Sequence, residues 1–121
     1  MEHTEGFLRL VRDAKTRVRE IDIHEARKRL ESNPNIRFID VREDSEWQEA
    51  HAAGAEHIGR GVIERDIERL VPDKDAELIL YCGGGYRSAL AADNLQRMGY
   101  TNVLSMDGGW KAWRDAGFPV E

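Results

Sequence analysis

The sequence predicts an α/β domain with a mainly parallel central sheet and helices on both of its faces. Segments rich in β-branched and apolar residues alternate with segments of helical spacing along the chain. That alternation calls for right-handed crossovers between parallel neighbours. Within residues 77–82, Leu78, Ile79, Leu80 and Tyr81 form a near-continuous apolar run, as expected of a strand covered on both faces.

Residues 5–19 place Phe7, Val11, Ala14 and Val18 at helical spacing, with Arg9, Arg12, Lys15 and Arg19 as a solvated face. A short segment around Ile21 follows. Asp22 then opens a helix, with Glu25 three residues on as in a capping box. Ala26 and Leu30 give that helix its inner face, and Asn33-Pro34 ends it. Residues 36–41 and 77–82 read as strands. Between them, residues 62–70 have helical spacing and stop before Pro72. Residues 87–98 form a helix with Leu90, Ala91 and Leu95 inward, closed by Gly99. A strand over 102–106 and a helix over 108–116, closed by Gly117 and Pro119, complete the chain. No repeat or linker divides it. Residues 1–20 are read as an N-terminal helical extension and 21–121 as the α/β domain.

A chain of 121 residues buries roughly two thirds of its unfolded surface, enough for a core without a metal or disulfide. Its one cysteine forms no internal disulfide. The net charge of -5, with both signs mixed throughout, argues against nucleic acid or an anionic membrane as partner. No apolar stretch approaches the ~20 residues of a membrane span. The N-terminus, with Glu2 and Glu5 ahead of a short apolar patch, lacks the pattern of a secretory signal. A cytoplasmic protein is expected.

Chemistry concentrates in Cys82-Gly83-Gly84-Gly85-Tyr86-Arg87-Ser88. Ligands of parallel sheets sit at the carboxyl ends of strands, and Cys82 occupies such an end. Consecutive glycines open backbone conformations closed to other residues and let amides converge into an anion-binding nest. The following helix adds unpaired N–H groups and its positive dipole end, and Arg87 adds a cation. An ordinary cysteine is only a few per cent thiolate at neutral pH. One helix dipole is worth about 0.3–1 kcal/mol, less than one pKa unit. Activation therefore needs several amides and Arg87 together. Tyr86 projects from this loop and is expected to shape donor access.

These residues, with others, resemble the rhodanese family of sulfurtransferases. Its active loop separates a cysteine from an arginine by four residues, as Cys82 and Arg87 are separated here. Phe38-Ile39-Asp40-Val41-Arg42-Glu43 followed by Glu46-Trp47 resembles the family's first signature. His51-Ala52-Ala53-Gly54-Ala55-Glu56-His57-Ile58 resembles its second. Gly108-Gly109-Trp110-Lys111-Ala112-Trp113, then Gly117-Phe118-Pro119-Val120, resembles its third. The resemblance covers 21–121, which it makes a rhodanese-like domain. It implies that Cys82 takes sulfur from thiosulfate or a similar small-molecule donor as a persulfide. A thiol (thioredoxin, glutathione or a sulfur-relay protein) or cyanide then removes it. The amides of residues 83–87 would hold the anionic sulfur, and no cofactor is required. Arg87 would orient the loop through carboxylates such as Asp40, with Asp40 and Arg42 supporting the site.

His51 and His57 lie six residues apart with no third histidine or cysteine near, so no metal site is expected. Trp110 and Trp113 are read as core packing, with Trp47 or Trp110 available to line a pocket mouth. A cysteine phosphatase or arsenate reductase also sets a thiolate ahead of an arginine, typically with five residues between. A non-catalytic interaction module of the same family is the alternative from another class.

Overall fold

The computed structural model of the chain describes residues 2–121. Its strands are β1 (Arg19–Ile21), β2 (Arg37–Asp40), β3 (Glu56–His57), β4 (Leu78–Tyr81) and β5 (Val103–Met106). They form one five-stranded sheet in the order β1-β5-β4-β2-β3, every pair parallel. The helices among the described residues are α1 (Glu5–Lys15), α2 (Ile23–Ser32), α3 (Asp44–Glu49), α4 (Ile63–Leu70), α5 (Tyr86–Arg97) and α6 (Gly109–Asp115).

β4 shows why the sheet is covered on both faces. Side chains alternate along a strand, and all four of its residues are apolar and buried. Leu78 and Leu80 join Ile63 and Ile67 of α4 and Ala91, Ala92 and Leu95 of α5 in one core. Ile79 and Tyr81 join Ile23 and Ala26 of α2, Phe38, and Trp113 of α6 in the other. The sheet's central strand therefore delivers residue 82 to the middle of its carboxyl edge.

The predicted elements are present with shifted ends. α1 stops at Lys15 instead of continuing to residue 19, because residues 19–21 pair along the edge of β5. Backbone hydrogen bonds offered by that edge compete with another helical turn. Asp22 caps α2 by accepting from Glu25 N–H at 2.8 Å, but Glu25 turns to Arg29 rather than back to Asp22. The helix after the glycines starts at Tyr86, one residue early. α3 and β3 were not expected. With six and two residues they are too short for a periodic signal. α1 buries Val11 and Ala14 and is tied to α5 by the Arg17–Asp93 pair, at 3.0 and 2.8 Å.

Candidate functional site

Cys82 follows β4 directly and is 1% exposed. Its Sγ accepts from Gly85 N–H at 3.1 Å and from Ser88 N–H at 3.3 Å. The Ser88 hydroxyl lies 3.5 Å from the same sulfur. Two backbone N–H groups therefore donate to one sulfur atom, and the Ser88 hydroxyl stands beside it as its third polar neighbour.

The loop takes this shape because α6 holds its other side. Trp110 N–H donates to the Cys82 carbonyl at 2.7 Å, and Lys111 N–H donates to the Gly83 carbonyl at 3.1 Å. No peptide bond is cis, so the amides of Gly83 and Gly84 point the opposite way. They have no acceptor among the described residues. Together with the N–H groups of Tyr86 and Arg87 in the first turn of α5, they are loop amides left without a partner among the described residues. Of the three loop glycines only Gly85 adopts a left-handed conformation, at φ 102°. A side chain at Gly109 would collide with the Cys82 carbonyl oxygen, and φ there is 56°. Gly109 thus sets how closely α6 approaches the loop. Gly109 stands in the Gly108-Gly109-Trp110 motif, whose residues alone carry no sign of that close approach.

Arg87 does not meet Asp40, which corrects the expected pairing. Its guanidinium binds Glu46 of α3 at 2.8 and 3.2 Å and lies over Gly83. The hydrogen bond to Arg87 holds the Glu46 carboxyl below its ordinary range, burial opposing the shift. Glu46 Oε1 also accepts from Glu43 N–H at 3.0 Å, closing the first turn of α3. Trp47 anchors that short helix: its ring stacks between His51, 3.4 Å between centroids, and His57, 5.3 Å. His57 Nε2 lies 2.7 Å from the Arg42 carbonyl and His51 Nδ1 3.0 Å from that of Trp47.

Asp40 is fully buried and engaged by Arg42, through Nη2 at 2.7 Å and Nε at 3.0 and 3.1 Å. Arg42 Nη2 also donates to the Ala50 carbonyl at 2.7 Å. Its guanidinium stacks 4.8 Å from the Trp110 ring. The strand-end pair therefore braces the wall behind Trp110 and does not touch the sulfur.

A cleft of about 890 Å³ opens above Cys82. Gly83, Gly84, Tyr86 and Arg87 line its floor, and Glu46, Trp110, Lys111 and Arg114 its sides. The remaining wall is the N-terminal segment, through Glu2, His3, Thr4 and Phe7. Tyr86 packs edge-on against His3, at 4.7 Å, and Phe7, at 6.2 Å, with Lys15 Nζ over its ring. Tyr86 thus faces the cleft from beside α1, and the N-terminal residues line the cleft although no motif pointed to them. Trp113 instead lies in the core.

The rhodanese-like domain model matches residues 22–116. The Arabidopsis thaliana mitochondrial protein HIGH ARSENIC CONTENT 1 is 36% identical over 97% of this chain and 75% of its own length. Thiosulfate sulfurtransferase GlpE of Vibrio cholerae is 31% identical over 84% of this chain and 92% of its own. A solved Rhodopseudomonas palustris protein, titled a possible tyrosine phosphatase, has a TM-score of 0.88 at 29% identity, covering 100% of this chain and 98% of that one. The loop that cradles Cys82, the all-parallel sheet beneath it and these matches together establish that the chain belongs to the rhodanese-like domain family.

Proposed function

We propose that this protein is a sulfurtransferase that moves a sulfane sulfur from thiosulfate or a similar donor to a thiol or cyanide through a Cys82 persulfide. The observation that carries this reading is the placing of Gly85 N–H, Ser88 N–H and Ser88 Oγ around Sγ, with the amides of Gly83 and Gly84 left unbonded in the same loop. The Cys82 thiolate attacks the outer sulfur of thiosulfate. The S–S bond of the donor breaks, and its electron pair leaves with sulfite. The terminal sulfur of the new persulfide is an anion one atom farther from Cα, where the amides of Gly83 and Gly84 support it. A thiolate or cyanide then attacks that terminal sulfur, and Cys82 leaves as thiolate. The first step carries Cys82 to the persulfide level with the donor's sulfane sulfur as the oxidant, the second returns it to thiolate, and the cycle needs no outside redox agent or cofactor.

Arg87 shares its charge with Glu46, so its part is to fix the loop and soften the arrival of a dianion. The cleft is far larger than thiosulfate needs, which suits an acceptor delivered by a larger thiol such as glutathione, thioredoxin or a sulfur-relay protein. A cytoplasmic setting fits a reduced Cys82, and no described helix is long and apolar enough to cross a membrane.

The name of the Rhodopseudomonas neighbour favours a second reading, phosphatase chemistry on the same thiolate. The loop of four residues between Cys82 and Arg87 weighs against it, because a tetrahedral oxyanion requires a wider cradle. Steady-state kinetics with thiosulfate and cyanide separate the two. Parallel double-reciprocal lines with no turnover of an aryl phosphate or arsenate support sulfur transfer by a ping-pong route. Phosphate or arsenate turnover with no thiocyanate formed overturns it.

A further inference from the structure

Behind Cys82 lies a second serine that neither the motif nor the loop accounts for. Ser105 sits within β5, among Val103, Leu104 and Met106, and is fully buried. Alternation along the strand sends Leu104 and Met106 to the α2 and α6 side, and Val103 and Ser105 to the α5 side. There Ser105 Oγ lies 2.8 Å from Ser88 Oγ, which in turn lies 3.5 Å from Cys82 Sγ. Ser88 is also fully buried.

A hydroxyl carries one proton and two lone pairs, so this chain of three atoms has two proton arrangements. In the first, Ser105 donates to Ser88 and Ser88 donates to sulfur. Every hydroxyl proton is then used, and the sulfur is the acceptor. In the reverse, the pattern of the neutral thiol, Cys82 Sγ donates to Ser88 Oγ and the Ser88 proton goes to Ser105. The Ser105 proton then meets no acceptor among the described residues. A buried donor left unmet costs more than a made hydrogen bond contributes. The amides of Gly85 and Ser88 bias the sulfur the same way, since an N–H only donates.

We propose that Ser105 is a positioning residue for the sulfur chemistry. It turns the Ser88 hydroxyl toward Cys82 as a donor and so raises the fraction of Cys82 held as thiolate. This rests on the reading of Cys82 as the nucleophile and adds a residue from the strand behind the loop. The titratable and charged groups around the sulfur are Arg87 of α5 with its partner Glu46 of α3, Lys111 and Arg114 of α6, Glu2 and His3 of the N-terminal segment, and Asp107 beside Gly85. Asp40 and Arg42 at the end of β2 are satisfied by each other. All of these persist when a serine is replaced.

The test is the pH profile of Cys82 alkylation by iodoacetamide, followed on the intact folded chain. Ser105→Ala moves the midpoint upward by about half a unit to one unit, the worth of one net hydrogen bond. Ser88→Ala moves it at least as far, and adding Ser105→Ala to Ser88→Ala moves it no further, because Ser105 acts through Ser88. Ser105→Thr, which keeps the hydroxyl, restores the wild-type midpoint. Should Ser105→Ala lower folding, the isosteric pair Ser105→Thr and Ser105→Val makes the same comparison. An unmoved midpoint in Ser105→Ala, or an equal shift in the Ser88→Ala background, overturns the proposal. Alkylation needs no sulfur donor, so this result stands apart from the outcome of the transfer assay.

Discussion

Two arginines lie near one cysteine, and their partners divide the work between them. Arg42 and Asp40 are 3% and 0% exposed and face each other at 2.7 Å. Removing one member of such a buried pair strands the other charge, which costs about 3–5 kcal/mol. Asp40→Ala is therefore expected to lower unfolding free energy by that amount in urea titration. The variant should still load sulfur at temperatures where it is folded. Arg87 is half-buried, pairs with Glu46 and lies over the loop. Arg87→Ala is expected to cost about 10²-fold in the rate of sulfur loading, the order seen when one preorganised donor is lost, with less effect on stability than Asp40→Ala. Equal loading rates for Arg87→Ala and wild type would remove Arg87 from the chemistry.

Among the elements, α3 links the fold to the site. Glu46 closes its first turn and grips Arg87, while the His51–Trp47–His57 stack fixes its axis. The Glu46 carboxyl is held below the usual 4.5 by Arg87. A depressed carboxylate contributes stability that is fully present above its unfolded pKa and lost as pH falls through the folded one. The stability gap between wild type and Glu46→Gln should therefore be constant above about pH 5 and close as pH drops below 4.5. A gap that persists at low pH would mean that packing, not charge, holds α3. This element also marks the limit of legibility. The apolar run of β4, the caps of α2 and the Cys82–Arg87 spacing could be read because each signal is local. The partner of Arg87 could not, since Glu46 is 41 residues away and Asp40 lies as close to a signature strand. Ser105 did leave a trace, a hydroxyl in an otherwise apolar strand, but its partner lies 17 residues upstream.

At the scale of the whole molecule, the N-terminal segment joins the α/β core rather than trailing from it. Arg17 meets Asp93 of α5, whose side chain is 8% exposed, and Phe7 and His3 cover Tyr86 at the cleft. β1 begins at Arg19, so a chain cut to residues 21–121 loses part of an edge strand as well as α1. Burial of Val11 and Ala14 and the Arg17–Asp93 pair go with it, leaving Asp93 with Arg97 alone. The truncated chain should be destabilised by about 3 kcal/mol or more. Its donor selectivity should also relax, as one wall of the cleft is gone. A truncated chain with unchanged melting and selectivity would assign α1 no part in either. The most direct test of the central claim is intact-protein mass spectrometry of reduced chain after thiosulfate, then after cyanide. A gain of one sulfur is expected, with its loss on adding cyanide and no gain in Cys82→Ser, which retains the wild-type fold. Unchanged mass with thiosulfate, polysulfide and mercaptopyruvate alike would contradict it.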